Sequence, residues 1–326
     1  MNSRHSWFLG MAIVLTASAG AAAQSWTPPR TVGGQPDLQG IWTNGTVTPL
    51  ERPSEFAGKE FLTEQEAAAF ENQVVVSRDS DRRGQTAETD LQWAYNNAWY
   101  DWGSKVVKTR RTSIIIDPSD GKIPPLTAKG QAMARALAAQ RSRPPAGPED
   151  IGLAERCLVF PTAGTPMLPY TYNNNYRIVQ VPGYVVILIE MVHDVRIIPI
   201  DGRPHVASGV RQWFGDSRGH WEGNTLVVET TNFNGKTRFA FLYNGLTDEN
   251  YHLTERFTRT DPDTVLYRFT VDDPTVFTRP FTGELTMSKT GATIYEYACQ
   301  EGNYAMAGML AGARTDEQRA AGTGKK

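Results

Sequence analysis

The sequence predicts a mainly β protein: an antiparallel meander barrel or sandwich of about eight strands, with an N-terminal helical and loop-rich part packed on it. Three observations carry this. From Cys157 onward, short runs rich in Val, Ile, Thr and aromatic residues recur. Turn residues punctuate them, among them Pro182-Gly183, Asp201-Gly202, Gly223-Asn224 and Thr290-Gly291. The connections are short, which suits antiparallel pairing of consecutive strands.

The first residues, Met1–Ala23, read as a signal peptide: Arg4 and His5, an apolar run over Trp7–Ala17, then Ala21-Ala22-Ala23. A periplasmic or secreted protein is expected, with no membrane span. Residues 24–150 are expected to form the N-terminal arm, short strands and two helices that wrap the barrel, 151–311 the barrel, and 312–326 a disordered tail. Pro36–Trp42 enters a first short strand. Thr63 and Glu66 form a capping box for a helix over Phe61–Asn72. Trp93, Tyr95, Trp99, Tyr100 and Trp102 fall close together, as an aromatic ligand platform or as core packing. Thr112–Ile116 is a β-branched strand. Thr127 caps a helix running to about Arg141, and Pro144–Pro148 breaks it.

In the β-rich part, Tyr176–Val181 is a strand that turns at Pro182-Gly183 into a long run, Tyr184–Ile200. Read as one strand, that run puts His193 on an apolar face and Glu190, Asp194 and Arg196 on the other. Val206–Phe214 forms a further strand, Gly215–Gly219 a turn and Thr225–Thr231 a strand. His252–Thr260 pairs with Val265–Val271, and Phe281–Ser288 with Thr293–Cys299. The chain has two cysteines, Cys157 and Cys299, and an exported chain favours a disulfide over two buried thiols. Closing so long a loop stabilises a fold by about 4–5 kcal/mol in the chain-entropy model.

Several blocks together resemble a family of secreted bacterial proteins: PDLQGIWTN from Pro36, RTSIIIDPSDG from Arg111, YNNNYRIVQ from Tyr172 with EMVHDVRIIP from Glu190, and GDSRGHWEGNTLVVETTNF from Gly215. The resemblance covers most of the chain after residue 23 and implies export without implying an activity. Gly40-x-Trp42 is also similar to the opening of lipocalin-like (calycin-type) barrels, in which the Trp plugs the closed end.

A net charge of −2 and the lack of a dense Lys/Arg run argue against nucleic-acid binding. No P-loop, dinucleotide fingerprint, G-x-S-x-G elbow or metal-ligand histidine spacing is present, so no cofactor and no metal are expected. The catalytic candidates are His193 as general base, with Glu190, Asp194 and Arg196; a structural role for each is the alternative. Glu229, Glu255, Glu284 and Glu296 lie in expected strands, where two facing one cavity would make a glycosidase-type pair. Tyr172, Asn174, Arg177, Trp99 and Trp102 are the candidate ligand-binding residues. The expected function is binding of a small apolar or aromatic molecule in a barrel cavity. The alternatives are a cofactor-independent lyase, isomerase or hydrolase using His193, and a carbohydrate-binding or envelope structural protein.

Overall fold

The computed structural model describes residues 26–81, 86–88, 96–160, 164–236 and 246–323. The expected signal peptide, and Trp93 and Tyr95 of the aromatic cluster, lie outside these residues. The strands are β1 (Gly40–Thr43), β2 (Ile115–Asp117), β3 (Asn175–Val181), β4 (Tyr184–Ile189), β5 (Val195–Pro199), β6 (Asp216–Glu222), β7 (Thr225–Thr231), β8 (His252–Asp261), β9 (Thr264–Asp272) and β10 (Phe281–Lys289). The helices are α1 (Glu64–Ser77), α2 (Ala128–Arg141) and α3 (Ala305–Thr323). No helix of the described residues is long and apolar enough to cross a membrane.

All the strands belong to one antiparallel sheet in the order β5-β4-β3-β1-β10-β9-β8-β7-β6, with β2 also paired to β10. The sheet curls into a nearly closed barrel. Burial alternates along the strands as the two-residue period requires: Leu253, Glu255, Phe257 and Arg259 of β8 are buried while their neighbours are partly exposed. The interior is filled by side chains, chiefly Trp42, Tyr176, Phe257, Tyr267, Phe269 and Phe281. Large aromatic groups complete the packing of so narrow a barrel and leave no wide central channel.

Topology explains why closure is incomplete. Nine strands follow one another around the path, each antiparallel to the next. An odd number leaves the two end strands, β5 and β6, running the same way, and no ladder joins them. Side chains close this seam instead. A Cβ at Gly219 of β6 would lie 3.0 Å from Ile198 Cγ2 and 2.9 Å from Ile200 Cγ2. Only glycine allows β5 to approach so closely. Nearer the start of both strands, Arg196 and Glu255 form an ion pair inside the barrel, with side chains 4% and 0% exposed. Arg196 Nη1 donates to Glu255 Oε1 at 2.9 Å, Nη2 binds Oε2, and the Tyr267 hydroxyl donates to Oε1 at 2.7 Å. Burial opposes the charge on Arg196, and Glu255 more than offsets it, so the guanidinium pKa is raised.

The two ends of the barrel differ. The β3–β4, β6–β7 and β8–β9 hairpins share one end, which Trp42 and Arg259 close: the guanidinium lies 5.5 Å from the indole centroid, and the indole N–H donates to Leu38 O at 2.9 Å. A fully buried Trp42 and a nearly closed antiparallel barrel are compatible with a lipocalin-like barrel. The other end carries the starts of β3, β5 and β6 and the long connections. There the segment after β10 folds across the barrel, and the Cys157–Cys299 disulfide holds it.

Several expectations are corrected. Tyr184–Ile200 is not one strand but the β4–β5 hairpin, with a 3-10 turn at Met191–His193. Val192 and His193 turn the chain in the left-handed region, with φ of 61° and 55°, and no Gly, Pro or Asn marks the place. A β-branched residue there is strained, so sequence preference argues against the turn that forms. The break reverses the parity: Val185, Ile187 and Ile189 point inward in β4, but Arg196 and Ile198 do so in β5. Gly215–Gly219 belongs largely to β6 rather than to a turn, Val206–Phe214 is not a strand, and β10 pairs with β9, β1 and β2 rather than with Thr293–Cys299. Residues 312–323 continue helix α3 where a disordered tail was expected; Arg314 holds it by donating to the carbonyls of Pro145 and Ala146. Residues 24–150 contribute β1 and β2 to the sheet itself as well as the two helices beside it.

Removing either partner of a buried pair leaves an uncompensated charge, which costs about 3–5 kcal/mol. Arg196→Met and Glu255→Gln should each destabilise the fold by roughly that amount in urea titrations. The double variant Arg196→Met/Glu255→Leu should recover much of the loss. Additive losses in the double variant would show that the pair is not coupled.

Candidate functional site at the open end

The fork between β1 and β10 builds the site. β1 pairs with β10 only at Trp42–Thr43, opposite Ser288–Lys289. Lower down, β10 takes β2 as its partner instead, at Thr282 and Gly283. The chain leaving β1 fills the gap: the amides of Ile114 and Ile115 donate to Pro49 O and Leu50 O at 2.8 and 2.9 Å, and the Val107 amide donates to Thr48 Oγ1 at 2.9 Å. Together with Leu168–Thr171, ahead of β3, these segments line a half-open cavity of about 390 Å³. Thr48, Leu50, Ile114, Leu168, Tyr170 and Trp102 are among its walls, and Arg78, at the C-terminus of α1, reaches it.

Trp102 is held from both faces. Tyr100 stacks on it with ring centroids 5.0 Å apart, and the Arg78 guanidinium sits 4.8 Å from its centroid. Its indole N–H is buried and has no acceptor. Tyr170 packs edge-on against Phe160 and Tyr172 at 5.1 and 5.4 Å, and burial raises its hydroxyl pKa. Arg78 was not among the candidates. It is a single arginine after a helix and carries no motif; only the fold brings it to Trp102.

The expected ligand-binding residues separate. Trp102 lines the cavity, and Tyr172 packs behind Tyr170. Asn174 is 1% exposed and fully engaged: its Oδ1 accepts from the Tyr170 amide at 2.7 Å, and its Nδ2 donates to the carbonyls of Tyr170 and Asp101. It shapes the wall without offering a free group. Arg177 is exposed on the outer face of β3, and Trp99 is 66% exposed away from the cavity walls.

The catalytic candidates separate as well. Arg196 faces the barrel interior with Glu255. Glu190, His193 and Asp194 lie at the open end, in the turn between β4 and β5. Glu190 is buried, accepting from Asn175 Nδ2 at 2.7 Å and from the Tyr295 amide at 3.4 Å. His193 is exposed, not on an apolar face, and its Nε2 accepts from the Tyr297 amide at 2.6 Å. Two of the candidates therefore tie the disulfide-held segment to the barrel. Asp194 is part-buried, its Oδ2 has no partner, and burial pushes its pKa up to about 6. The expected carboxylate pairs do not meet in one cavity. Glu255 points inward from β8, while Glu284 points outward from β10 between Arg111 and Arg268; Glu229 and Glu296 are exposed. At the seam, sequence reasoning missed a cluster: Asp216 Oδ2 lies 3.0 Å from His205 Nδ1, and Arg218 binds its other oxygen. Among the described residues, no group of three His, Cys, Asp or Glu side chains is arranged to hold a metal.

Because the Asp194 pKa is raised on folding, the folded state favours the neutral carboxyl. The stabilisation is fully present below the unfolded value near 4 and is lost as pH rises through about 6. Asp194→Asn should therefore raise the melting temperature relative to the native protein at pH 7–8 and leave it nearly unchanged at pH 4. An equal effect at both pH values would rule out a raised Asp194 pKa.

No family model matches this chain, and no curated protein or solved structure matches it significantly.

Proposed function

We propose that the protein is an exported binding protein for a small aromatic molecule, held in the cavity where β1 and β10 part. One observation carries the reading: the described interior of the barrel is filled, while the fork beside it holds an apolar, aromatic-walled cavity of about 390 Å³. That volume falls within the range of small-molecule sites, about 300–1,000 Å³. The walls come from several distant chain segments on a cross-paired sheet, which suits a preformed site. Export is supported by the Met1–Ala23 pattern and the disulfide.

A second reading, cofactor-independent proton transfer on such a molecule, draws on Asp194, whose raised pKa suits acid–base work near neutrality. Turnover of aryl substrates that is lost in Asp194→Asn and kept in His193→Ala would favour it.

The binding reading is tested by titrating the protein with one-ring aryl compounds and following tryptophan fluorescence, alongside native mass spectrometry of protein prepared from the periplasm. Thr171→Trp places an indole into the cavity from a partly exposed position. It should weaken binding at least tenfold while leaving the melting temperature within a few degrees of the native value. A native protein that binds no aryl compound and carries no releasable mass would sink the proposal.

A further inference from the structure

We infer that the ligand of this cavity is a monoanion, an aryl carboxylate, and that Arg78 is its anchor; the inference rests on the binding reading above. Arg78 is half-buried, and among the described residues its guanidinium has no carboxylate within ion-pairing distance and no hydrogen-bond acceptor. Its only described side-chain partner is the face of Trp102. A buried or partly buried cation normally has a counter-ion, because desolvation disfavours its charge. Here burial lowers the Arg78 pKa, and no neighbouring carboxylate offsets the shift. The position after α1 favours a cation through the helix dipole. Yet the carbonyls of Val74 and Val76 are taken by the Arg78 backbone amide, and the guanidinium binds neither.

None of the charged groups nearby pairs with Arg78: Asp101, beside Trp102, forms no ion pair among the described residues, and burial and the neighbouring Glu190 carboxylate raise its pKa. Lys105 pairs with Glu71, and Asp79 accepts from Asn97 Nδ2 and the Asp81 amide. One unmatched positive charge therefore faces an otherwise apolar cavity, which fits a ligand with one negative charge better than a phosphate dianion. A second donor without an acceptor, the Trp102 indole N–H, belongs to the same wall. A guanidinium offers a carboxylate a planar two-point contact, and Trp102, Tyr100 and Tyr170 supply aromatic surface for the ring. In this geometry Arg78 bridges the indole face and the bound carboxylate.

The test uses 3-phenylpropionate and its matched amide, 3-phenylpropionamide, in calorimetric titrations of the mature protein, Arg78→Gln and Arg78→Lys. Melting temperatures confirm that each variant is folded. The expected result is that the native protein prefers the carboxylate by tenfold or more, that Arg78→Gln loses this preference while still binding the amide, and that Arg78→Lys keeps part of it. Equal binding of acid and amide, unchanged in Arg78→Gln, would overturn the anion inference and leave the binding reading standing. Failure of both compounds and of the wider aryl panel to bind the native protein would overturn the two together.

Discussion

The Arg196–Glu255 pair is the contact on which the barrel's closure depends. A path of nine antiparallel strands brings two like-directed edges together, and backbone pairing does not join them. Something else must hold the edge of β5 against the rest of the sheet. Arg196 reaches inward from β5 to a carboxylate on β8, across β6 and β7, and so fixes β5 relative to strands that it does not neighbour. Such a pair contributes less to net stability than to uniqueness, because desolvation consumes much of its attraction. Its value lies in the penalty for leaving either charge alone. A one-residue slip of β5 would turn Arg196 outward and strand Glu255 in the interior.

The polar network extends from that pair to the open end. Tyr267 donates to Glu255 and accepts from the Met167 amide at 3.0 Å, and Tyr176 accepts from Asn44 Nδ2 at 3.3 Å. Met167 and Asn44 belong to the chains that run beside the cavity, next to Leu168 and Thr46. The interior ion pair and the cavity wall are therefore parts of one hydrogen-bonded framework. The walls are held by backbone and amide contacts.

The barrel is asymmetric. One end is shut by hairpins and by Arg259 over Trp42. The middle is packed with aromatic side chains. An apolar cavity lies where β10 exchanges one partner for another, because two strands that diverge leave a gap that short segments line but do not fill. At the same end, Glu190 and His193 hold the segment after β10 by its amides, and the disulfide holds it by a covalent bond.

The fold class, both capped helices, the β3–β4 and β8–β9 hairpins and the partnership of the two cysteines are legible in the chain before it folds. Each of these is written in local signals: a two-residue period, a capping box at Thr63 and Glu66, turn residues at Pro182-Gly183 and Asp261–Asp263, and, for the two thiols, a leader-like pattern over Met1–Ala23 from which export is expected. The remaining features depend on contacts between distant parts of the chain. The turn at Glu190–Asp194 forms against local preference, because a continuous strand would leave the buried hydrogen bonds of the β4–β5 ladder unmade. That turn reverses parity, so it sent Arg196 to the core and His193 to the surface. The cavity was illegible for a related reason. Arg78, Trp102, Ile114 and Leu168 lie on separate segments, and no periodicity in a chain encodes which of its distant loops will meet.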